Sequence, residues 1–98
     1  MAHNLIITTK ASSEALKTCN FYDIRQIGLS ERFLADLTKT YKKITENPEH
    51  YSFISSRKKH KLRDVKLEDF PYLVIFNIQN NDVIVHSVFN TSRKPKYK

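Results

Sequence analysis

Gly28 is the only glycine in this chain of 98 residues, and it separates two stretches with helical periodicity. From Ala11 to Ile27, apolar side chains recur at Ala11, Ala15, Cys19 and Tyr22, which predicts a helix with one buried face. A glycine just beyond that run suits the left-handed residue of a helix C-cap. Ser30 then offers an N-cap, with Glu31 as the acid favoured in a first turn. Phe33, Leu34, Leu37, Tyr41 and Ile44 follow as an apolar stripe at i, i+3, i+4 spacing, with Lys42 and Lys43 suited to the helix end and Asn47-Pro48 as its stop. Two helices joined by so short a turn pack antiparallel as a hairpin.

The pattern changes on either side of this hairpin. Asn4 to Thr8 is a short β-prone run, read as a first strand. Tyr51 to Lys61 is polar and basic and reads as a loop. Lys61 to Leu67 alternates imperfectly, with Leu62, Val65 and Leu67 apolar. Pro71 precedes Tyr72 to Ile78, an almost unbroken aromatic and β-branched run of the kind found in a central strand covered on both faces. Asn80-Asn81 lies in a turn between Gln79 and Asp82, because asparagine tolerates positive φ. Asp82 to Phe89 is the last strand. The predicted order is β-α-α-β-β-β, an α+β fold with a helical hairpin packed on a small antiparallel sheet. Residues 1–98 make one domain, because the chain is too short to support two.

Several functions are excluded by what the chain lacks. With one glycine there is no phosphate cradle of the Walker or dinucleotide-binding type. His3, His50, His60 and His86 show no metal-ligand spacing, and Cys19 has no cysteine neighbour, so neither a metal nor another cofactor is expected. His86 falls in a valine-rich and isoleucine-rich strand and reads as structural. Cys19 falls on the apolar helix face, where cysteine is inert. One cysteine allows no internal disulfide, and no stretch has the length of a signal or a membrane span. The expected location is the cytoplasm.

What remains is positive charge. The net charge is +7, and it is concentrated. Arg57, Lys58, Lys59, Lys61 and Arg63 stand together, as do Arg93, Lys94, Lys96 and Lys98, with no acid inside either group. If the strand has begun by Lys59, then Lys59, Lys61 and Arg63 project from one face, since side chains alternate in β structure. Arg93 and Tyr97 follow the last strand and can return to the same edge. Such a set suits phosphate, through charge-assisted bonds, and suits the charge that builds on a phosphate under attack. It suits an acidic protein partner equally. Tyr51, Phe53 and Tyr72 are candidates for stacking on bases, with the core as the alternative.

Two segments resemble the RelE/ParE toxin superfamily, sometimes described as plasmid stabilisation proteins. Leu29 to Pro48, with Leu-Ser-Glu-Arg-Phe-Leu at its start and Ile-Thr-Glu-Asn-Pro at its end, is similar to the second helix of that family and its stop. Arg63 to Tyr97 is similar to the C-terminal half, from Arg-Asp-Val-Lys-Leu-Glu-Asp-Phe-Pro-Tyr to Asn-Thr-Ser-Arg-Lys-Pro-Lys-Tyr. Phe70-Pro71-Tyr72 and Ser92-Arg93-Lys94-Pro95 are typical of the ParE side.

The resemblance implies the toxin of a type II toxin–antitoxin pair, held inactive by an acidic antitoxin that is partly disordered when free. It implies two competing mechanisms. A ParE-like toxin inhibits growth through DNA gyrase and has no known catalytic centre. A RelE-like toxin is a ribosome-dependent mRNA endonuclease. In that case Lys59, Lys61, Arg63 and Arg93 would hold phosphate and Tyr97 would act as base, with Arg63, Arg93 and Tyr97 as the catalytic set; on either mechanism Arg57, Lys58, Lys59, Lys61, Arg63, Arg93 and Lys94 are the candidates for contact with nucleic acid or target. RelE-type toxins carry an arginine directly after the tyrosine that opens the central strand, where this chain has Leu73. They also carry one after the last strand, where this chain has Thr91, with Arg93 two residues on. These departures favour the ParE-like expectation. A third reading is an inactive homologue that only binds its antitoxin.

Overall fold

The structure is a computed structural model that describes residues 2–54 and 61–92. Its elements run β1 (Asn4–Ile7), α1 (Thr9–Arg25), α2 (Leu29–Glu46), a short 3-10 turn (Pro48–His50), β2 (Arg63–Lys66), β3 (Tyr72–Gln79) and β4 (Asp82–Asn90). This is the predicted order, and the helical hairpin packs on a four-stranded sheet in the order β1-β4-β3-β2. β2, β3 and β4 are antiparallel neighbours. β1 joins the far side of β4 in parallel, pairing Asn4 with Asp82 and Ile7 with Val85, so the sheet is mixed where an antiparallel one was expected. A parallel pair needs a long crossover between its strands, and here the hairpin and the other strands supply it.

The apolar faces read from periodicity form the core. Ala11, Phe33, Leu37 and Ile44 from the helices meet Val74, Phe76, Val83, Val85 and Val88 from the two middle strands. Ala15, Cys19, Tyr22 and Tyr41 pack at the margin of this cluster. Leu34, expected in the same stripe, is instead 44% exposed. A stripe that includes both residues of an adjacent pair is wider than the sheet beneath it, so Phe33 turns inward and Leu34 reaches the rim.

The hairpin turn differs from its expected capping. Gly28 does adopt a left-handed conformation, with φ of 86°. However, α1 ends at Arg25 with Gln26, in extended conformation, as its C-cap, and Gly28 stands at the N-cap position of α2. Ser30 is therefore inside the helix rather than capping it. Its hydroxyl donates to the carboxylate of Asp23 on α1, linking the two helices across the turn.

The hairpin is clamped to the turn between β2 and β3 in two ways. Tyr22, Phe33, Phe70 and Tyr72 form an aromatic cluster with ring centroids 5.2 to 5.9 Å apart for four of its pairs, tilted or edge-to-face as ring quadrupoles favour. Burial pushes the Tyr22 hydroxyl up to about 12. Beside the cluster, the buried carboxylate of Asp36 accepts the backbone N–H groups of Glu68, at 3.3 Å, and Asp69, at 2.8 Å. Lys39 and Lys43 reach the Glu68 carboxylate at 2.8 and 2.7 Å. One side of α2 thus fixes the loop that sets the register of β2 against β3.

β4 carries an irregularity. Its register against β3 shifts at Ile75/Phe76, leaving His86 as an extra residue between Val85 and Ser87. Such a bulge bends a strand and increases its twist. Past the bulge β4 has outrun the short β1, and α1 supplies the missing partner. Glu14 accepts the N–H of Val88 at 3.0 Å and the hydroxyl of Ser87 at 2.9 Å. The Thr8 hydroxyl donates to the His86 carbonyl at 3.4 Å. These side chains satisfy backbone groups that burial would otherwise leave unpaired.

Candidate functional site

The cationic region is approached through a small neck. Ile54 donates its N–H to the carbonyl of Leu62 at 2.8 Å, and Phe53 bridges to Arg63. The chain therefore leaves and returns at adjacent points around residues 55–60. Arg57, Lys58 and Lys59 lie outside the described residues, as do Arg93, Lys94, Lys96, Lys98 and Tyr97.

Lys61 and Arg63 are described, and they do not form the expected row. The strand begins only at Arg63. Lys61 is exposed, in a turn, with a left-handed φ of 56°, so the alternation of a strand does not extend to it. Arg63 pairs in register with Phe76, a core residue, and its side chain leans to that side of the sheet. One guanidinium nitrogen (Nη1) donates to the Tyr51 carbonyl at 2.6 Å and to the Glu49 carbonyl at 3.4 Å. The guanidinium carbon Cζ lies 4.0 Å from the centroid of the Phe53 ring. A buried or half-buried arginine that bonds carbonyls and covers a ring is holding chain in place. Here it joins the segment after α2 to the start of β2, at the base of the neck.

The aromatic candidates separate. Tyr72 is buried in the core cluster, and Tyr51 packs edge-on against Phe76 with centroids 6.1 Å apart. Phe53 is 39% exposed beneath Arg63, which makes it the one of the three whose ring is open to a partner.

The histidine and the cysteine behave as structural residues. His86 bonds through Nε2 to Asn77 Oδ1 at 2.7 Å across the sheet, and desolvation, then the Lys10 charge, lowers its pKa below the usual 6.5. Burial, then the Asp23 charge, pushes the Cys19 thiol up, which disfavours the thiolate and hence nucleophilic chemistry. No group of histidine, cysteine or acidic side chains among the described residues has the arrangement of a metal site. None of the described helices is long and apolar enough to cross a membrane.

Sequence reading missed a depression of about 350 Å³ between the helices, lined by Ile7, Leu16, Cys19, Leu34 and Tyr41 among others. Its walls are mostly apolar, and burial pushes the Tyr41 hydroxyl up to about 12. The signal available was Leu16, which falls outside the Ala11-Ala15-Cys19-Tyr22 stripe and is 63% exposed.

No protein-family model matches the sequence, and no curated protein matches it. Among solved structures, the chain superimposes on a chain of the chromosomal ParDE TA system from P. aeruginosa. The TM-score is 0.75 at 16% identity, over 91% of this chain and 96% of the other. The fold is RelE/ParE-like. At that identity the agreement is one of fold. The RelE/ParE-like frame also gives the Phe70-Pro71-Tyr72 segment a physical role, since both of its rings belong to the cluster that seats the hairpin.

Proposed function

We propose that this protein is the toxin of a type II toxin–antitoxin system, ParE-like, and that it inhibits growth by acting on DNA gyrase. The observation that carries the proposal is the structural agreement, over 91% of this chain, with a chain of a ParDE toxin–antitoxin system. Two features support the ParE-like branch over the endonuclease branch. The position after Tyr72 is Leu73, so no guanidinium stands there. Arg63, the one described arginine of the candidate phosphate set, is engaged with Tyr51, Glu49 and Phe53. A phosphoryl transition state needs donors preorganised towards it, and an arginine already engaged in this way is poorly placed to serve as one.

The proposed inhibitor is a cognate acidic antitoxin that orders on binding. Its charge complements the +7 of this chain, and the apolar depression between α1 and α2 offers a seat for the apolar side of its bound segment. The proposed setting is the cytoplasm, where gyrase and its DNA are found.

The deciding experiment combines the purified free protein with gyrase of the native host, ATP and plasmid. Trapped DNA cleavage with loss of supercoiling is the expected result. A folded protein that stops growth while gyrase is unaffected would overturn the gyrase reading. Attention would then move to ribosome-dependent mRNA cleavage, with Tyr97→Phe, Arg93→Ala and Lys59→Ala as the variants to assay. A folded protein that does not stop growth would instead mark an antitoxin-binding module.

A further inference from the structure

Phe53 is a large apolar side chain held at the surface. Its backbone is fixed at the neck by the bridge to Arg63 and by the neighbouring bond from the Ile54 N–H to the Leu62 carbonyl at 2.8 Å. Its ring is fixed by Arg63, whose Cζ lies 4.0 Å from the centroid and whose guanidinium is itself held by the Tyr51 carbonyl at 2.6 Å. The ring remains 39% exposed and takes no part in the core cluster. Tyr51 and Tyr72, the other candidates for stacking, are spent in packing.

The surroundings are cationic. Between Phe53 and Asp64 the sequence carries Arg57, Lys58, Lys59, Lys61 and Arg63 and no acid. Lys61 is exposed, in the left-handed turn where the chain returns to the neck, two residues before the bridge partner of Phe53. Asp64 does not offset this charge at the ring. It pairs in register with Ile75, and Arg63 with Phe76, so strand alternation turns Asp64 to the opposite side of the sheet.

We propose that the neck binds single-stranded nucleic acid, with a base stacked on Phe53 and an adjoining phosphate on Lys61. The combination of ring and cation selects the ligand. A polyanion without bases, an acidic peptide included, uses the cations and leaves the ring bare. A base inside a duplex is already stacked and does not present its face. A single strand uses both features, and it does so with little regard to sequence, because every base has a π-face. Arg63 orders the ring before any ligand arrives, so stacking costs little conformational freedom. This inference leaves Arg63 in its anchoring role and is independent of the gyrase reading, since the binding is measured without gyrase.

Fluorescence anisotropy on the full chain tests it, with a labelled oligothymidylate about 12 nucleotides long and an abasic backbone of the same length. The expected result is tighter binding of the base-bearing strand. Phe53→Leu removes that preference: it weakens the oligothymidylate by at least about fivefold and leaves the abasic strand unchanged, which also shows that the variant is folded. Phe53→Tyr restores the preference. Lys61→Ala weakens both strands and lowers the slope of log affinity against log salt by about 0.7. The preference of the parent protein tests the proposal even where a variant fails to fold. Equal affinity of the parent for the two strands, or an oligothymidylate affinity that Phe53→Leu leaves intact, would overturn the proposal. So would poly-glutamate binding with the same dependence on Phe53, which would assign the ring to an acidic protein instead.

Discussion

Replacing Arg63 by alanine removes its bonds to the Tyr51 carbonyl at 2.6 Å and the Glu49 carbonyl at 3.4 Å, together with its cover over Phe53 at 4.0 Å. A hydrogen bond from a charged donor contributes about 1.5–3 kcal/mol, and a cation over an exposed ring about 0.5–1 kcal/mol. Arg63 is half-buried and the longer bond adds little, so the lower ends apply and the expected loss is about 2 kcal/mol. At about 4–8 °C per kcal/mol for a domain of this size, the melting temperature falls by roughly 8–16 °C. Arg63→Lys keeps the charge but not the planar fork, and recovers about half of the loss. Urea denaturation followed by circular dichroism measures each variant. A double-mutant cycle with Phe53→Leu isolates the ring contact, expected at about 0.5–1 kcal/mol. A stability for Arg63→Ala within about 0.3 kcal/mol of the parent would refute the anchoring argument and return this guanidinium to the set available for phosphate.

Two other expectations follow from the clamp on the loop between β2 and β3. Asp36→Ala leaves the amides of Glu68 and Asp69 without their acceptor, and the expected cost is about 2–4 kcal/mol by chemical denaturation, with Asp36→Asn intermediate because an amide accepts through only one of its two end atoms. The Glu68 carboxyl is held at about 2, below its ordinary 4.5, by bonds from Lys39 and Lys43. Its folded pKa lies below its unfolded one, so its contribution is present above about 4.5 and fades as pH falls towards 2. The stability difference between the parent and Glu68→Gln, followed through that window, should shrink to nothing at the acid end.

Most of the fold was legible because it rests on short-range rules. The faces of α1 and α2, the proline stops, the run Tyr72 to Ile78 and the asparagine turn are local signals, and apart from Leu34, which lies at the rim, the structure places each where its periodicity puts it. The errors occur where a distant contact overrides a local preference. Ser30 is a good cap by type, but Asp23, across the hairpin, is a better partner for its hydroxyl. Glu14 and Asp36 read as ordinary polar helix positions. Their roles exist only because the edge of β4 and the amides at Glu68 and Asp69 come to lie beside them, which no spacing along the chain encodes. The same holds for Arg63. Alternation suggests a cationic row, yet the left-handed turn at Lys61 ends the row and Phe53 captures the guanidinium.

The residues that carry the family resemblance are largely residues that build the fold. Phe70 and Tyr72 sit in the aromatic cluster, Pro48 is buried beyond α2, and Phe33 and Leu37 are core. Substituting any of them perturbs packing before it perturbs a target contact, so motif similarity of this kind tracks architecture and says little about what a toxin of this fold attacks. On the toxin reading proposed above, target choice falls, among the described residues, to groups without a core duty such as Lys61 and the half-exposed ring of Phe53, to which the sequence adds the cations Arg57, Lys58, Lys59, Arg93 and Lys94. Cations attract phosphate and acidic protein alike, so their number does not discriminate gyrase from ribosome. Geometry can, because an endonuclease must hold its donors around one phosphate, whereas a protein poison needs only a surface. With Arg63 committed to the neck, an endonuclease reading must assemble that constellation from the remaining cations and Tyr97 alone.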